Sequence, residues 1–121
     1  MVGYFEIPVN DMHRAKMFYE TVFAIKVAVH DLGGLVMGWF PRDSEKKEAS
    51  GSLVKHEMYA TSETAGPLVY FSCQDVAIEL SRVVDAGGKV LKQKTEIGGG
   101  QGFMGLLLDS EGNRIAVHSQ T

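Results

Sequence analysis

Apolar and polar residues alternate over two short stretches of the chain. In "YFEIPVND", Phe5, Ile7 and Val9 alternate with Tyr4, Glu6 and Pro8. In "LVYFSCQD", Val69, Phe71 and Cys73 alternate with Leu68, Tyr70 and Ser72. Successive side chains on a strand point to opposite faces, so this period of two predicts strands with one core face and one different face. Each stretch ends at an aspartate, and the period then changes. Apolar residues follow Asp11 at Met12, Ala15, Phe18, Tyr19 and Val22, and follow Asp75 at Val76, Leu80, Val83 and Val84. That spacing gives each segment one apolar stripe and predicts a helix. A carboxylate just before a helix accepts hydrogen bonds from the free N–H groups of its first turn, so Asp11 and Asp75 are expected N-caps. Gly87-Gly88 is expected to end the second helix, because glycine tolerates the left-handed conformation there.

Asp11 and Asp75 lie 64 residues apart, about half the chain of 121 residues, and the pattern continues in parallel beyond them. "KVAVHD", "LVMGWF" and "SLVKHEMY" read as strands in the first half; "KVLKQK", "FMGLLLD" and "RIAVHS" read as strands in the second. The polar segment "PRDSEKKEAS" is a loop, "SEGN" a turn, and "TSETAGP", residues 61–67, a linker. The chain is thus one domain over 1–121, with a β-α-β-β-β repeat over about 1–60 and another over about 68–121. Two such repeats predict an α+β fold: eight strands in an open cup, a half-barrel, with the two helices outside. Tyr4, Glu6, Leu68 and Tyr70 then face the concave side.

Composition narrows the function classes. A formal net charge of −3 without a basic stripe excludes nucleic acid as the main partner. No apolar run reaches the ~18 residues of a membrane span, and a strand is expected to start by about residue 3, so neither an anchor nor a signal peptide is expected and a cytoplasmic setting follows. Cys73, the single cysteine, has no partner for an internal disulfide and reads as a small buried thiol.

The segments "FEIPVNDMHRAKMFY", "VYFSCQDV", "AGGKVL" and "LLLDSEGNRIAVHS" resemble, in that order, the vicinal-oxygen-chelate superfamily. It includes glyoxalase I, the bleomycin- and fosfomycin-resistance proteins and extradiol dioxygenases. The likeness covers essentially the whole chain and is strongest to the small single-domain glyoxalase-like branch. It implies a small molecule handled in the cup, by a lyase, isomerase or oxygenase activity or by non-enzymatic sequestration. It also implies a homodimer. In members that bind a divalent metal, ligands come from the first and last strands of each repeat. Carried over, those positions fall on Tyr4, Leu68, Ala116 and one residue within "SLVKHE". Leu68 and Ala116 have no donor atom, so no metal is expected at the usual positions.

Glu6 lies two residues beyond Tyr4 on the same face. It reads either as a general base or non-standard ligand in the cup, or as a solvated or paired carboxylate. His118 shares the face of Ala116 and forms a weak metal site or an acid/base couple with Glu6 if the first and last strands face each other; otherwise it is a partly exposed, idle residue near the chain terminus. Tyr4 and Tyr70 are candidate ligand-binding residues, with Trp39, Phe103 and Met104 as further lining. His56 and Glu57, as strand neighbours, are expected on opposite faces, and His56 reads either as the fourth ligand position or as a surface residue of an edge strand. His13 reads as solvated, and His30 has no evident partner. "EIGGGQG" lacks the Lys-Ser/Thr pair of a phosphate-binding loop and leads into a strand, so it reads as a loop at the mouth of the cup.

Overall fold

Both predicted caps form. Asp11 has extended backbone and its carboxylate accepts from Arg14 N–H at 3.0 Å; Asp75 does the same for Ala77 N–H at 3.0 Å. This computed structural model describes every residue from Met1 to Thr121 except Ser44, Lys46 and Lys47. Part of the loop expected over 41–50 therefore lies outside the described residues.

The first repeat comprises β1 (Tyr4–Pro8), α1 (Met12–Phe23), β2 (Ala28–Asp31), β3 (Val36–Trp39) and β4 (Ser50–Lys55). The second comprises β5 (Val69–Ser72), α2 (Val76–Arg82), β6 (Lys89–Glu96), β7 (Phe103–Leu108) and β8 (Arg114–Ser119). The eight strands are divided between two open four-stranded sheets, ordered β1-β4-β3-β2 and β5-β8-β7-β6. In each, the first strand of the repeat pairs in parallel with the last, and the remaining pairs are antiparallel. Among the described residues, no helix is long and apolar enough to cross a membrane.

The predicted stripe of α1 is wholly buried: Met12, Ala15, Phe18, Tyr19 and Val22. It packs with Ile7, Val9 and Leu53 of the first repeat and with Val76, Leu80, Val83, Leu107, Ile115 and Val117 of the second, in one core. Burial of a side chain such as Phe18 contributes about 2 kcal/mol through the hydrophobic effect. Phe5 and Phe71 lie edge to face at 5.9 Å, joining the two first strands through their core faces. Phe103, a candidate lining residue, instead packs against this core.

Gly87-Gly88 closes the helical turns as expected: Gly87 has a φ of 104°, its N–H reaches the Val84 carbonyl at 3.1 Å, and Gly88 N–H reaches the Val83 carbonyl at 2.9 Å, the paired bonds of a glycine-terminated helix end, while the regular part of α2 stops at Arg82. Two local expectations are corrected. Within those turns Val84 leaves the apolar stripe and is exposed. β4 ends at Lys55, so His56 and Glu57 are not strand neighbours. They open a turn in which Tyr59 N–H reaches the His56 carbonyl at 3.0 Å, while His56 Nδ1 accepts from Met58 N–H at 3.1 Å.

Candidate ligand site

The register of the first sheet aligns Glu6 with Ser52 and Ser52 with Trp39, and paired residues share a face. This is the face away from α1. Tyr4, Glu6 and Trp39 are exposed on it, and His30 stacks on Trp39 at 4.2 Å between ring centres. Ser52 is fully buried, and its hydroxyl has no partner among the described residues. Tyr59, beyond β4, donates its hydroxyl to Glu6 Oε1 at 2.9 Å. That hydrogen bond, and then the carboxylate charge, raise the Tyr59 pKa, so the phenol stays a donor at neutral pH.

In the second sheet Tyr70 aligns with Ala116, and Ala116 with Leu106; Ser72 aligns with His118, and His118 with Met104. Tyr70 is exposed and Ala116 fully buried. His118 Nε2 lies 2.7 Å from the Gln101 carbonyl. A carbonyl only accepts, so Nε2 carries the proton and His118 anchors the glycine-rich loop. No Cα of β1 comes within 8 Å of a Cα of β5 or β8. Glu6 and His118 thus sit on separate sheets with separate partners, and the structure does not bring them together.

Between the sheets lies a seam. β1 and β5 are the edge strands that border it, and Asn113 Nδ2 spans it to the Pro8 carbonyl at 2.7 Å. A cleft of about 400 Å³ opens there, bordered by the linker. Phe5, Ile7, Val69 and Ile115 give it apolar walls, and Glu6 and Arg114 are its charged residues. It is a concave, mostly apolar site with a few polar groups, the usual form of a small-molecule pocket. A second, more open depression lies at the end of the first sheet, between Gly33-Gly34 and the His56–Tyr59 turn.

The family model described as "Glyoxalase/Bleomycin resistance protein/Dioxygenase superfamily" matches residues 1–117. The chain belongs to this superfamily. Solved structures with the same fold include a glyoxalase I mutant from Zea mays, at a TM-score of 0.78 and 20% identity over 98% of this chain and 46% of that one. They also include a glyoxalase/bleomycin resistance protein from Albidiferax ferrireducens, at 0.68 and 18% over 97% of each chain. A glyoxylase/bleomycin resistance protein/dioxygenase domain from Frankia sp. matches at 0.74 and 15%, over 98% of this chain and 96% of that one. At these identities the likeness is one of fold, and the chain spans about half the length of the maize enzyme. The comparison with curated proteins found no match.

Register carries the fourth metal-ligand position implied by the resemblance onto one residue of the first repeat. Glu6 pairs with Ser52 as Tyr70 pairs with Ala116, and the 64-residue offset carries each member of the first pair onto the second. Ser52 is therefore the counterpart of Ala116. The four positions that the resemblance implies would then be Tyr4, Ser52, Leu68 and Ala116: two neutral hydroxyls and two side chains without donors. Divalent transition metals are held by imidazole, thiolate and carboxylate, so this set does not fit one. Among the described residues there is also no cluster of three His, Cys, Asp or Glu side chains suited to a metal ion.

Sequence reading missed the superfamily member's most connected polar group. Glu111 in the closing turn is buried and accepts from Asn10 N–H (2.9 Å), Asp11 N–H (2.7 Å), Arg14 Nε (2.6 Å) and Nη2 (3.0 Å), and Ser110 Oγ (3.0 Å). Asp109, also buried, accepts from Tyr19 Oη at 2.6 Å and from the backbone N–H groups of Glu111 and Asn113. Burial raises the Asp109 pKa against those hydrogen bonds, and burial raises that of Tyr19 well above its ordinary value. These groups fix the β1–α1 junction next to the cleft. The only signal in the sequence was the density of Asp, Glu and Asn in "DSEGN".

Proposed function

We propose that the protein binds a small organic molecule in the seam cleft without a divalent metal, and that it acts as a binding or sequestration protein. The observation that carries this reading is the donor-poor set Tyr4, Ser52, Leu68 and Ala116, found in the same molecule as a preformed cleft with only two charged residues. Tyr4 and Tyr70, both exposed, supply further contact surface. The exposed Tyr4, Trp39 and Tyr70 also support a homodimer, with the sheet faces covered by a second copy. A cytoplasmic setting is part of the same reading and rests on composition.

A second reading follows from Glu6. Among the described residues it is the only carboxylate lining the cleft, and it is oriented by Tyr59, as a general base for proton abstraction in a lyase or isomerase would be. His118, held by the Gln101 carbonyl, is no direct partner in that role.

Metal analysis of the purified protein combined with ligand-dependent thermal melts tests the proposal. The expected result is no stoichiometric divalent metal and a melting temperature that rises with ligand by mass action on the folded state. Stoichiometric zinc, nickel or manganese whose removal abolishes ligand binding would overturn it. Turnover of the ligand, lost in Glu6→Gln, would replace sequestration by the catalytic reading.

A further inference from the structure

The seam cleft carries opposite charges that are not spent on each other. Glu6 and Arg114 both line it, yet the ion pairs among the described residues are Arg14–Glu111, Lys16–Glu20 and Lys94–Asp75. Glu6 uses only Oε1, for Tyr59. Arg114 makes one side-chain hydrogen bond, from Nη2 to the Gly66 carbonyl at 3.4 Å, beyond the usual range for such bonds. Its Nε is buried and has no acceptor among the described residues. Buried donors of this kind are normally satisfied, and Nε with Nη2 forms the edge of the guanidinium that matches two carboxylate oxygens.

We propose that the cleft takes an amphoteric carboxylic acid of amino-acid type. Its carboxylate engages Arg114, its cationic amine engages Glu6, and its apolar side chain lies along the accessible lining residues Phe5, Pro67 and Val69. The inference rests on the reading of the cleft as the ligand site and names the ligand's class. A simple anion entering the cleft meets the Glu6 carboxylate, and a simple amine meets the Arg114 guanidinium. Only a ligand carrying both charges satisfies both walls, so the site selects by repulsion as well as attraction. Arrival of the carboxylate gives Nε the acceptor it lacks once the Arg114 side chain turns from Gly66 into the cleft. The volume of about 400 Å³ is near the lower end of ligand pockets, which suits a single amino acid.

Calorimetric titration with four probes of one shape tests this: phenylalanine, 3-phenylpropionate, phenethylamine and benzyl alcohol. Phenylalanine is expected to bind about tenfold or more tightly than each of the other three, the worth of one charge-assisted contact. Arg114→Gln should weaken phenylalanine and 3-phenylpropionate and leave phenethylamine unchanged. Glu6→Gln should weaken phenylalanine and phenethylamine and leave 3-phenylpropionate unchanged. Arg114→Lys, which keeps the charge and loses the fork, should retain part of the carboxylate preference. It provides the same readout if the glutamine variant does not fold. Equal affinities for all four probes, or carboxylate binding indifferent to both Arg114 variants, would overturn the proposal while leaving the cleft a ligand site. If none of the four binds, the ligand reading of the cleft falls with it.

Discussion

Glu111 ties the end of the second repeat to the start of the first through a single carboxylate. Burial pushes its pKa up, but the Arg14 hydrogen bonds and the backbone N–H groups of Asp11 and Asn10 outweigh burial and hold it below the ordinary 4.5. A depressed folded-state pKa means that the stabilisation is fully present above the unfolded value and is lost as pH falls through the folded one. Asp109 works in the opposite direction. Its pKa is raised above 3.8 chiefly by burial, so its ionisation disfavours the folded state as pH rises through that window. Glu111→Gln should therefore destabilise the protein by about 2 kcal/mol at neutral pH, where backbone donors lose a charged acceptor. The gap from the native protein should narrow as pH falls below 4.5. Urea unfolding at a series of pH values checks this, and a gap that does not change with pH would refute the assignment to ionised Glu111.

Strand β1 and strand β4 show how an element depends on one small residue. Phe5 and Gly51 are register partners, and a Cβ at Gly51 would be driven into the Phe5 ring. Backbone and aromatic ring are packed too closely there for a methyl group without displacement. Gly51→Ala is expected to cost about 1–3 kcal/mol through overpacking. Trimming the ring in a Gly51→Ala/Phe5→Leu double variant should recover part of that loss in thermal melts. Additive losses would show that the two residues do not compete for the same space. At the helix ends the carboxylate caps act locally: Asp11→Ala removes the acceptor for Arg14 N–H and should lower stability by about 1 kcal/mol in the same assay.

The repeats form one cooperative body. Phe71 of the second repeat contacts Phe23 at 4.7 Å, Phe40 at 5.6 Å and Tyr19 at 6.0 Å, all from the first. Tyr19 in turn donates to Asp109 across the repeats. Either half alone would expose these rings and leave the buried carboxylates without their donors. Residues 1–60 and 68–121 produced separately should lack a cooperative melt, while the whole chain unfolds in one transition. Circular dichroism melts of the three chains decide the matter, and a cooperative melt from either half would contradict it.

Period and repeat determined much of this molecule. The alternation in "YFEIPVND" and "LVYFSCQD", the two aspartate caps and the stripe of α1 are local patterns, and local sterics and hydrogen bonding realise them as read. The same patterns carried the superfamily resemblance, the placement of Glu6 on the face away from the helix and the lack of donors at Leu68 and Ala116. Tertiary structure alone decided the rest. β4 ends at Lys55 and the turn beyond it brings Tyr59 onto Glu6, a contact between residues 53 positions apart that no periodicity encodes. Glu6 is held by Tyr59 and His118 by the Gln101 carbonyl, on different sheets. Glu111 finds Asn10, Asp11 and Arg14 about a hundred residues away, and Arg114 and Glu6 line one cleft without pairing. Such contacts depend on how two sheets are placed side by side, which the whole packed core sets, whereas each strand and helix is specified by its own few residues.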